Sequence, residues 1–440
     1  MTSSNTLTTS AALAAMQAGN LTSRQLVEAS LARCAERDND VGAWIYLNPE
    51  LALAQADASD QARADGKTLG PLHGIPVGLK DIIDTADMPT ANGSELFAGR
   101  RPVADSAIAR LLRDAGAIIM GKTVTTEFAL SAAGKTRNPH NPEHTPGGSS
   151  SGSAAAVADF QVPLSVGTQT GGSMIRPASF CGIIGFKPTF GSISRAGMFP
   201  LARPLDQPGI YARSIEDIAR AGDVLMAKDP ADLDMRGHMK PVLVEALSKP
   251  AGAPPRIAFV KGPMWEFAEP YMDALFDDVM DKLGSHARHL ELAGVFEDAL
   301  DCQATVMMAN VVANIGDYCR NNADKVQPET IRRARQGYDI LAEDYVKAIE
   351  FRDTLRVAAD RIFDHYDVLI TAGAPGEAPK DLGNTGNAVF QKVWTLTGMP
   401  TLTLPKLQGP NGLPIGLQVI GRFAHDSDLL RHAAWIEDAL

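Results

Sequence analysis

TPGGSSSGSAAAVADFQVPLSVGTQTGGSMIRP, residues 145–177, carries two glycine-flanked serine clusters. They are Gly147-Gly148-Ser149-Ser150-Ser151-Gly152 and Gly171-Gly172-Ser173. Between them lie a small-residue run that suits a helix and a short apolar run that suits a strand. Glycine lets backbone approach a ligand closely and take positive φ. Serine attacks only when a neighbouring base removes its proton. Two such loops so close together point to a hydrolytic site, provided the chain supplies a base. His140 and His144 lie just outside the stretch and none lies within it.

Outward from this stretch, helix and strand patterns alternate. Thr22 with Gln25 three residues on forms a capping box ahead of a helix that runs to the Asp38-Asn39-Asp40 break. A second helix spans about Pro49 to Asp65 and stops at Gly66. Ile75 to Asp84, IPVGLKDIID, reads as a strand with Gly78, Lys80 and Ile82 on one face and Val77, Leu79, Asp81 and Ile83 on the other. Ser106 to Ala115 is a short amphipathic helix, and Ala117 to Met120 a short strand. Beyond Pro177 come an apolar segment, Cys181 to Phe186, and a Gly/Pro-rich stretch to Gly209, then a helix from Ser214 to Ala227. Residues 257–363 read as one strand, Ile257–Val260, followed by helices. Strand signals return at 367–371, 401–404 and 415–420 before a last helix capped by Asp426 or Ser427. This alternation implies an α/β fold, and with no repeat or linker in view the whole chain, 1–440, reads as a single domain.

Two motifs mislead. Gly116 to Thr123 matches the phosphate-loop pattern GxxxxGK[ST], but its inner residues are Ala-Ile-Ile-Met, themselves a strand, leaving no loop to cradle phosphate. Gly148-Ser149-Ser150-Ser151-Gly152 matches GxSxG, yet Asn141 to Gly147 ahead of it contains two prolines and no strand, so a nucleophile elbow is not expected.

The composition narrows the classes. A net charge of −11 argues against binding a nucleic-acid backbone, and no Lys/Arg run is visible. Cys34, Cys181, Cys302 and Cys319 stand far apart, match no metal-ligand spacing and read as buried thiols in a reducing compartment. The first residues lack an apolar signal core, and no apolar run approaches a membrane span. The expectation is a cytoplasmic protein that engages neither membrane nor nucleic acid.

In place of histidine, Lys80 is the alternative base. To accept a proton it must be neutral, which requires a large fall from its reference pKa of about 10.4. Burial produces such falls, and Gly78 and Ile82 beside it on the strand make desolvation credible.

Residues 70–190 resemble the signature region of the amidase signature hydrolases. The matching pieces, in the family's order, are Gly74-Ile75-Pro76-Val77-Gly78-Leu79-Lys80-Asp81, Gly121-Lys122-Thr123 with Glu127-Phe128-Ala129, Pro146 to Ala156, and Gly167 to Ser173 with Arg176-Pro177, Cys181-Gly182 and Lys187-Pro188. The resemblance continues weakly through Trp394 to Pro400 and Gly412 to Gln418. It implies a central mixed sheet covered by helices on both faces. No cofactor or metal is expected. It implies a catalytic triad in which Ser173 is the nucleophile that forms an acyl-enzyme, Ser149 a bridging serine with a cis peptide bond, and Lys80 the terminal base and acid. The amides of Thr170, Gly171, Gly172 and Ser173 would form the oxyanion hole.

Within the family the malonamidases are most resembled. Members of that branch hold an arginine where this chain has Arg176, taking the substrate's carboxylate, and the branch suggests a homodimer. The substrate expected is therefore a small carboxylic acid amide, a malonamate-type molecule held by Arg176 being the carboxylate-bearing case. A structural arginine is the other reading of that residue. Neutral amides, esters and carbamates stay open as substrates. The rival within the family is the glutaminase subunit of a tRNA-dependent amidotransferase. Such subunits carry an acid before TGGS and an arginine two residues after the serine, where this chain has Gln169 and Ile175. These departures weigh against the rival. A catalytically dead scaffold is the rival from another class, and the intact Lys80, Ser149 and Ser173 set weighs against it. Pocket walls are expected around Trp265, Met307–Asn314 and Trp394.

Overall fold

The capping box forms as its residues require. In the computed structural model, which describes residues 4–235, 240–249 and 252–440, Thr22 Oγ1 accepts the Gln25 amide at 3.1 Å and Gln25 Oε1 accepts the Thr22 amide at 3.0 Å. These bonds satisfy two amide donors that a helix start leaves free. The helix then runs Ser23–Val41, past the expected break, and closes on Gly42 at φ 63°. The second helix, Pro49–Ala64, opens on the Asn48 side chain with proline in its first turn and ends before Gly66.

Eleven strands form one mixed sheet. In chain order they are β1 Trp44–Leu47, β2 Pro76–Lys80, β3 Ile118–Thr123, β4 Leu164–Gln169, β5 Ile184–Lys187, β6 Gln207–Ala212, β7 Ile257–Lys261, β8 Ala287–Glu291, β9 Val368–Ala372, β10 Thr401–Gln408 and β11 Pro414–Ile420. Their order across the sheet is β1-β3-β2-β4-β6-β5-β10-β11-β9-β7-β8. β2 lies between β3 and β4, parallel to both, and β7 lies parallel to β8 and β9. The remaining pairings are antiparallel. The α/β expectation and the mixed sheet are met.

Strand alternation sends neighbouring side chains into two separate cores. Ile119 of β3 joins the larger one while Ile118 and Met120 join the smaller; Ile210 of β6 and its neighbour Tyr211 divide the same way. Both faces are therefore packed, which explains strands buried at every position, as in β2, β3, β4 and β6.

Helix Ser151–Ala158, made of Ser, Gly, Ala and Val, is buried over seven of its eight residues. A Cβ at Gly152 would stand 2.1 Å from the Ala43 carbonyl oxygen and 2.4 Å from the Val124 amide nitrogen, so glycine is what lets this helix press against that backbone. β3 runs through Gly121-Lys122-Thr123, so the phosphate-loop match is extended strand. The Lys122 ammonium is spent on the Ile83 carbonyl and on Thr90 Oγ1.

Candidate active site

β2 and β4 run parallel and end at the same edge of the sheet, where a crevice outside the strand ends is a usual place for ligand. Lys80, the last residue of β2, has no exposed surface. Its Nζ donates to Ser149 Oγ at 2.7 Å and to Thr168 Oγ1 at 2.8 Å. Burial pushes the Lys80 pKa well below its usual value, with the Asp206 carboxylate opposing that fall. Among the described residues the Lys80 amine forms no ion pair: both its hydrogen bonds go to hydroxyls, and Asp206 favours its charged form without touching it.

Ser149 follows the cis Gly148–Ser149 peptide bond in the turn before helix Ser151–Ala158. Its neighbours in the cluster work on backbone. Ser150 Oγ donates to the Thr168 carbonyl at 3.0 Å and accepts the Thr168 amide at 3.1 Å, clamping the turn to β4. Ser151 Oγ donates to the Gly147 carbonyl at 2.9 Å. Of three consecutive serines, only Ser149 meets Lys80. No strand leads into this turn, so the GxSxG match builds no nucleophile elbow.

β4 leads through Thr170-Gly171-Gly172 to Ser173 and into helix Ile175–Cys181. Gln169 anchors this loop from behind. Its Oε1 accepts the Met174 and Ile175 amides at 2.8 and 3.2 Å, and its Nε2 donates to Thr395 Oγ1 at 2.9 Å. Thr395 Oγ1 in turn donates to the Gly171 carbonyl at 2.7 Å. Thr170 Oγ1 donates to Asp206 Oδ1 at 2.6 Å, while the other Asp206 oxygen accepts the Leu201 and Ala202 amides, each at 2.9 Å. Burial raises the Asp206 pKa, and these bonds oppose the rise. Tyr211 Oη donates to the Ser173 carbonyl at 2.9 Å. A Cβ at Gly172 would come within 2.5 Å of Gln391 Oε1 and 2.8 Å of Ala388 Cβ, so glycine permits the close approach of residues 388–391.

Thr170, Gly171, Gly172, Ser173 and Arg176 line one cavity of about 590 Å³, within the usual range for small-molecule sites. Arg176 is 5% exposed. Its Nη1 donates to the Gly386 carbonyl at 2.7 Å, and its Nη2 to the Gly148 carbonyl and to Thr385 Oγ1. Burial lowers its pKa to about 10. Of the expected walls, Met307 and Met308 line the cavity, Trp394 is wholly buried, and Trp265 packs edge-on against Phe259, Phe276 and Phe390.

Sequence reasoning missed Thr168 and Asp206. Thr168 lies within the quoted signature piece and could have been found as the second hydroxyl beside Lys80. Asp206 sits in a Gly/Pro-rich stretch with no local signal.

A family model described as Amidase matches residues 25–430, and the chain belongs to the amidase family. It is 32% identical to a glutamyl-tRNA(Gln) amidotransferase subunit of Lachnospira eligens, over 97% of this chain and 96% of that one. It is 34% identical to the subunit of the same name from Streptomyces coelicolor, over 98% and 96%. Among solved structures it resembles a chain from a vestigial protein complex bearing on the origins of an s-triazine catabolic enzyme, with a TM-score of 0.92, 29% identity and 98% of both chains covered. The peptide amidase of Stenotrophomonas maltophilia superposes with a TM-score of 0.86 at 29% identity, over 98% of this chain and 96% of that one. The chain is thus an enzyme of the class that cleaves amide C–N bonds.

These findings correct the expected partners. A small-molecule amide with no nucleic acid does not stand beside relatives that are, over nearly their whole length, subunits of an enzyme named for a tRNA. The physical reason is scale: a net charge of −11 describes one chain's surface and is silent on nucleic acid held elsewhere in an assembly. The malonamidase branch gains no support from these relatives. The departures at Gln169 and Ile175 also lose weight against the amidotransferase. Both side chains are buried behind the loop, and the Gln169 amide oxygen caps the helix start without a carboxylate. Among the described residues, no helix is long and apolar enough to cross a membrane.

Proposed function

We propose that this chain is the amide-cleaving component of an amidotransferase-type enzyme, releasing ammonia from a carboxamide through an acyl-enzyme on Ser173. The observation that carries the chemistry is the buried Lys80, 2.7 Å from Ser149 Oγ, hydrogen-bonded to two hydroxyls and in ion-pair contact with no carboxylate among the described residues. The amidotransferase part of the reading is supported by the similarity to the two amidotransferase subunits across almost the entire chain.

In this reading neutral Lys80 accepts the Ser149 hydroxyl proton as Ser149 takes that of Ser173, a hydroxyl being both donor and acceptor. Ser173 Oγ attacks the amide carbonyl, and the amides of residues 170–173 receive the developing oxyanion. One well-placed donor there contributes about 2.7–4 kcal/mol to the transition state. The proton returns through Ser149 to the departing ammonia, and water then releases the acid by the same relay. Thr168 accepts the second Lys80 bond and fixes the amine's direction. In this reading Arg176 holds the Gly148 carbonyl next to the relay serine.

The test is to isolate the tagged chain from its own host, identify co-purifying subunits and measure ammonia release from glutamine with and without them. Stimulation by partner subunits, and loss of labelling by a fluorophosphonate in Ser173→Ala, are expected. Full activity of the lone chain on simple amides, no partner captured and no glutamine turnover would sink the amidotransferase reading. Undiminished ammonia release by Ser173→Ala would sink the acyl-enzyme.

A further inference from the structure

Resting on the Ser173 acyl-enzyme reading, we propose that Lys392 determines specificity by binding a carboxylate carried by the amide substrate.

Lys392 lies on helix Val389–Thr397 and lines the same cavity as Ser173. Three other cations line it, and their side chains are committed differently. Arg332 is paired with Glu329 at 2.6 Å. Arg176 is spent on two carbonyls and a hydroxyl. Arg333 donates to the neutral Gln336 side chain at 2.9 Å. Among the described residues, Lys392 has neither a hydrogen bond nor an ion pair, and neither Arg176 nor Arg333 meets a carboxylate. The Nε atoms of Arg176 and Arg333 are also buried without a partner.

The acids of the cavity do not offset this. Glu329 is held by Arg332 and Ser131, and Asp381 accepts the Gly383 amide at 2.9 Å. The cavity that holds Ser173 thus has a surplus of positive charge. Burial lowers the Lys392 pKa, and Arg333 and Arg176 add to the fall while Asp301 opposes it. Like charges crowded in a half-buried space repel, and an anion entering among them removes that repulsion. Met307 and Met308 supply apolar lining suited to a methylene spacer between carboxylate and amide. The ligand class is therefore an aliphatic amide with a carboxylate at its far end.

The experiment compares glutaramate with its uncharged counterpart pentanamide in the full-length enzyme, together with whatever subunits co-purify. The ratio of their kcat/KM values is read in wild type, Lys392→Met and Lys392→Arg. A charge-assisted bond of this kind corresponds to roughly a ten- to hundredfold fall in that ratio for Lys392→Met, with partial recovery in Lys392→Arg. An unchanged ratio overturns the proposal. Glutarate binding to Ser173→Ala, by calorimetry, supplies a readout free of turnover: Lys392→Met in that background weakens it by a similar factor, and equal affinity overturns the proposal. Ammonia release that survives Ser173→Ala would remove the nucleophile reading and leave the binding result standing.

Discussion

Replacing Lys80 by Met keeps the length of the side chain and removes its amine, and the consequence for stability is opposite to that for activity. In the folded protein burial depresses the Lys80 pKa, whereas in the unfolded chain it returns to about 10.5. Between these two values the unfolded state binds more protons than the folded one. Wild-type stability therefore rises with pH across that window, by about 1.4 kcal/mol per pH unit from this one group. Below the folded pKa the penalty is present in full; above 10.5 it is gone. Lys80→Met has no such dependence. Against this, the mutant loses two hydrogen bonds, to Ser149 and Thr168, each contributing about 1 kcal/mol and independent of pH in this range. Urea unfolding of both proteins at several pH values from 7 to 10 measures the difference. The wild type should gain on the mutant as pH rises, and Lys122 and Lys187, also buried with lowered pKa values, cancel in the comparison. Ammonia release should fall by about 10²–10⁴-fold with the base removed. Parallel stability curves would mean that Lys80 is charged in the folded state, and the base assignment would fail with them.

Thr168→Val removes the second acceptor of Lys80 at nearly constant shape; kcat should drop by about tenfold, the equivalent of one hydrogen bond, while a Ser replacement retains most of it, measured by steady-state ammonia release. Gly172→Ala should destabilise by about 1–3 kcal/mol in urea titrations because its Cβ meets Gln391 and Ala388, whereas a Cβ at Gly171 meets nothing within 4 Å and should leave the unfolding midpoint nearly unmoved. Arg176→Ala should lower the melting temperature and reduce turnover of carboxylated and neutral amides alike, since its bonds hold the Gly148 carbonyl. A rise in KM confined to carboxylated amides would instead return Arg176 to substrate binding.

Much of this protein can be read locally. The Thr22–Gln25 capping box and the small-residue helix between the serine clusters depend on neighbours a few residues away and recur in the structure, whereas the strand expected over Ile75–Asp84 forms only as Pro76–Lys80, with Lys80 at its end. The two false motifs could be rejected locally too, because each needs a strand where the sequence has none or has one in the wrong place. Strands were missed where local signals conflict. β6 contains a proline and a glycine, β8 is ARHLE with most side chains exposed, and β1 has only four residues. Each is a strand because a partner across the sheet supplies its hydrogen bonds, and no pattern within the segment records that partner.

The same divide runs through the site. The serine loops of residues 145–177 and the lysine on β2 stand out in the sequence, because glycine, serine and an isolated charge on an apolar strand are chemically conspicuous. Folding alone decides which of three serines meets that lysine, through the clamp of Ser150 on Thr168. It also brings Asp206 to Thr170 across 36 positions and the Thr395 hydroxyl to the Gly171 carbonyl across 224. The free charge of Lys392 is of this second kind. A lysine on a helix is ordinary in sequence, and it becomes informative only when packing sets it beside two arginines and leaves it without an ion-pair partner among the described residues.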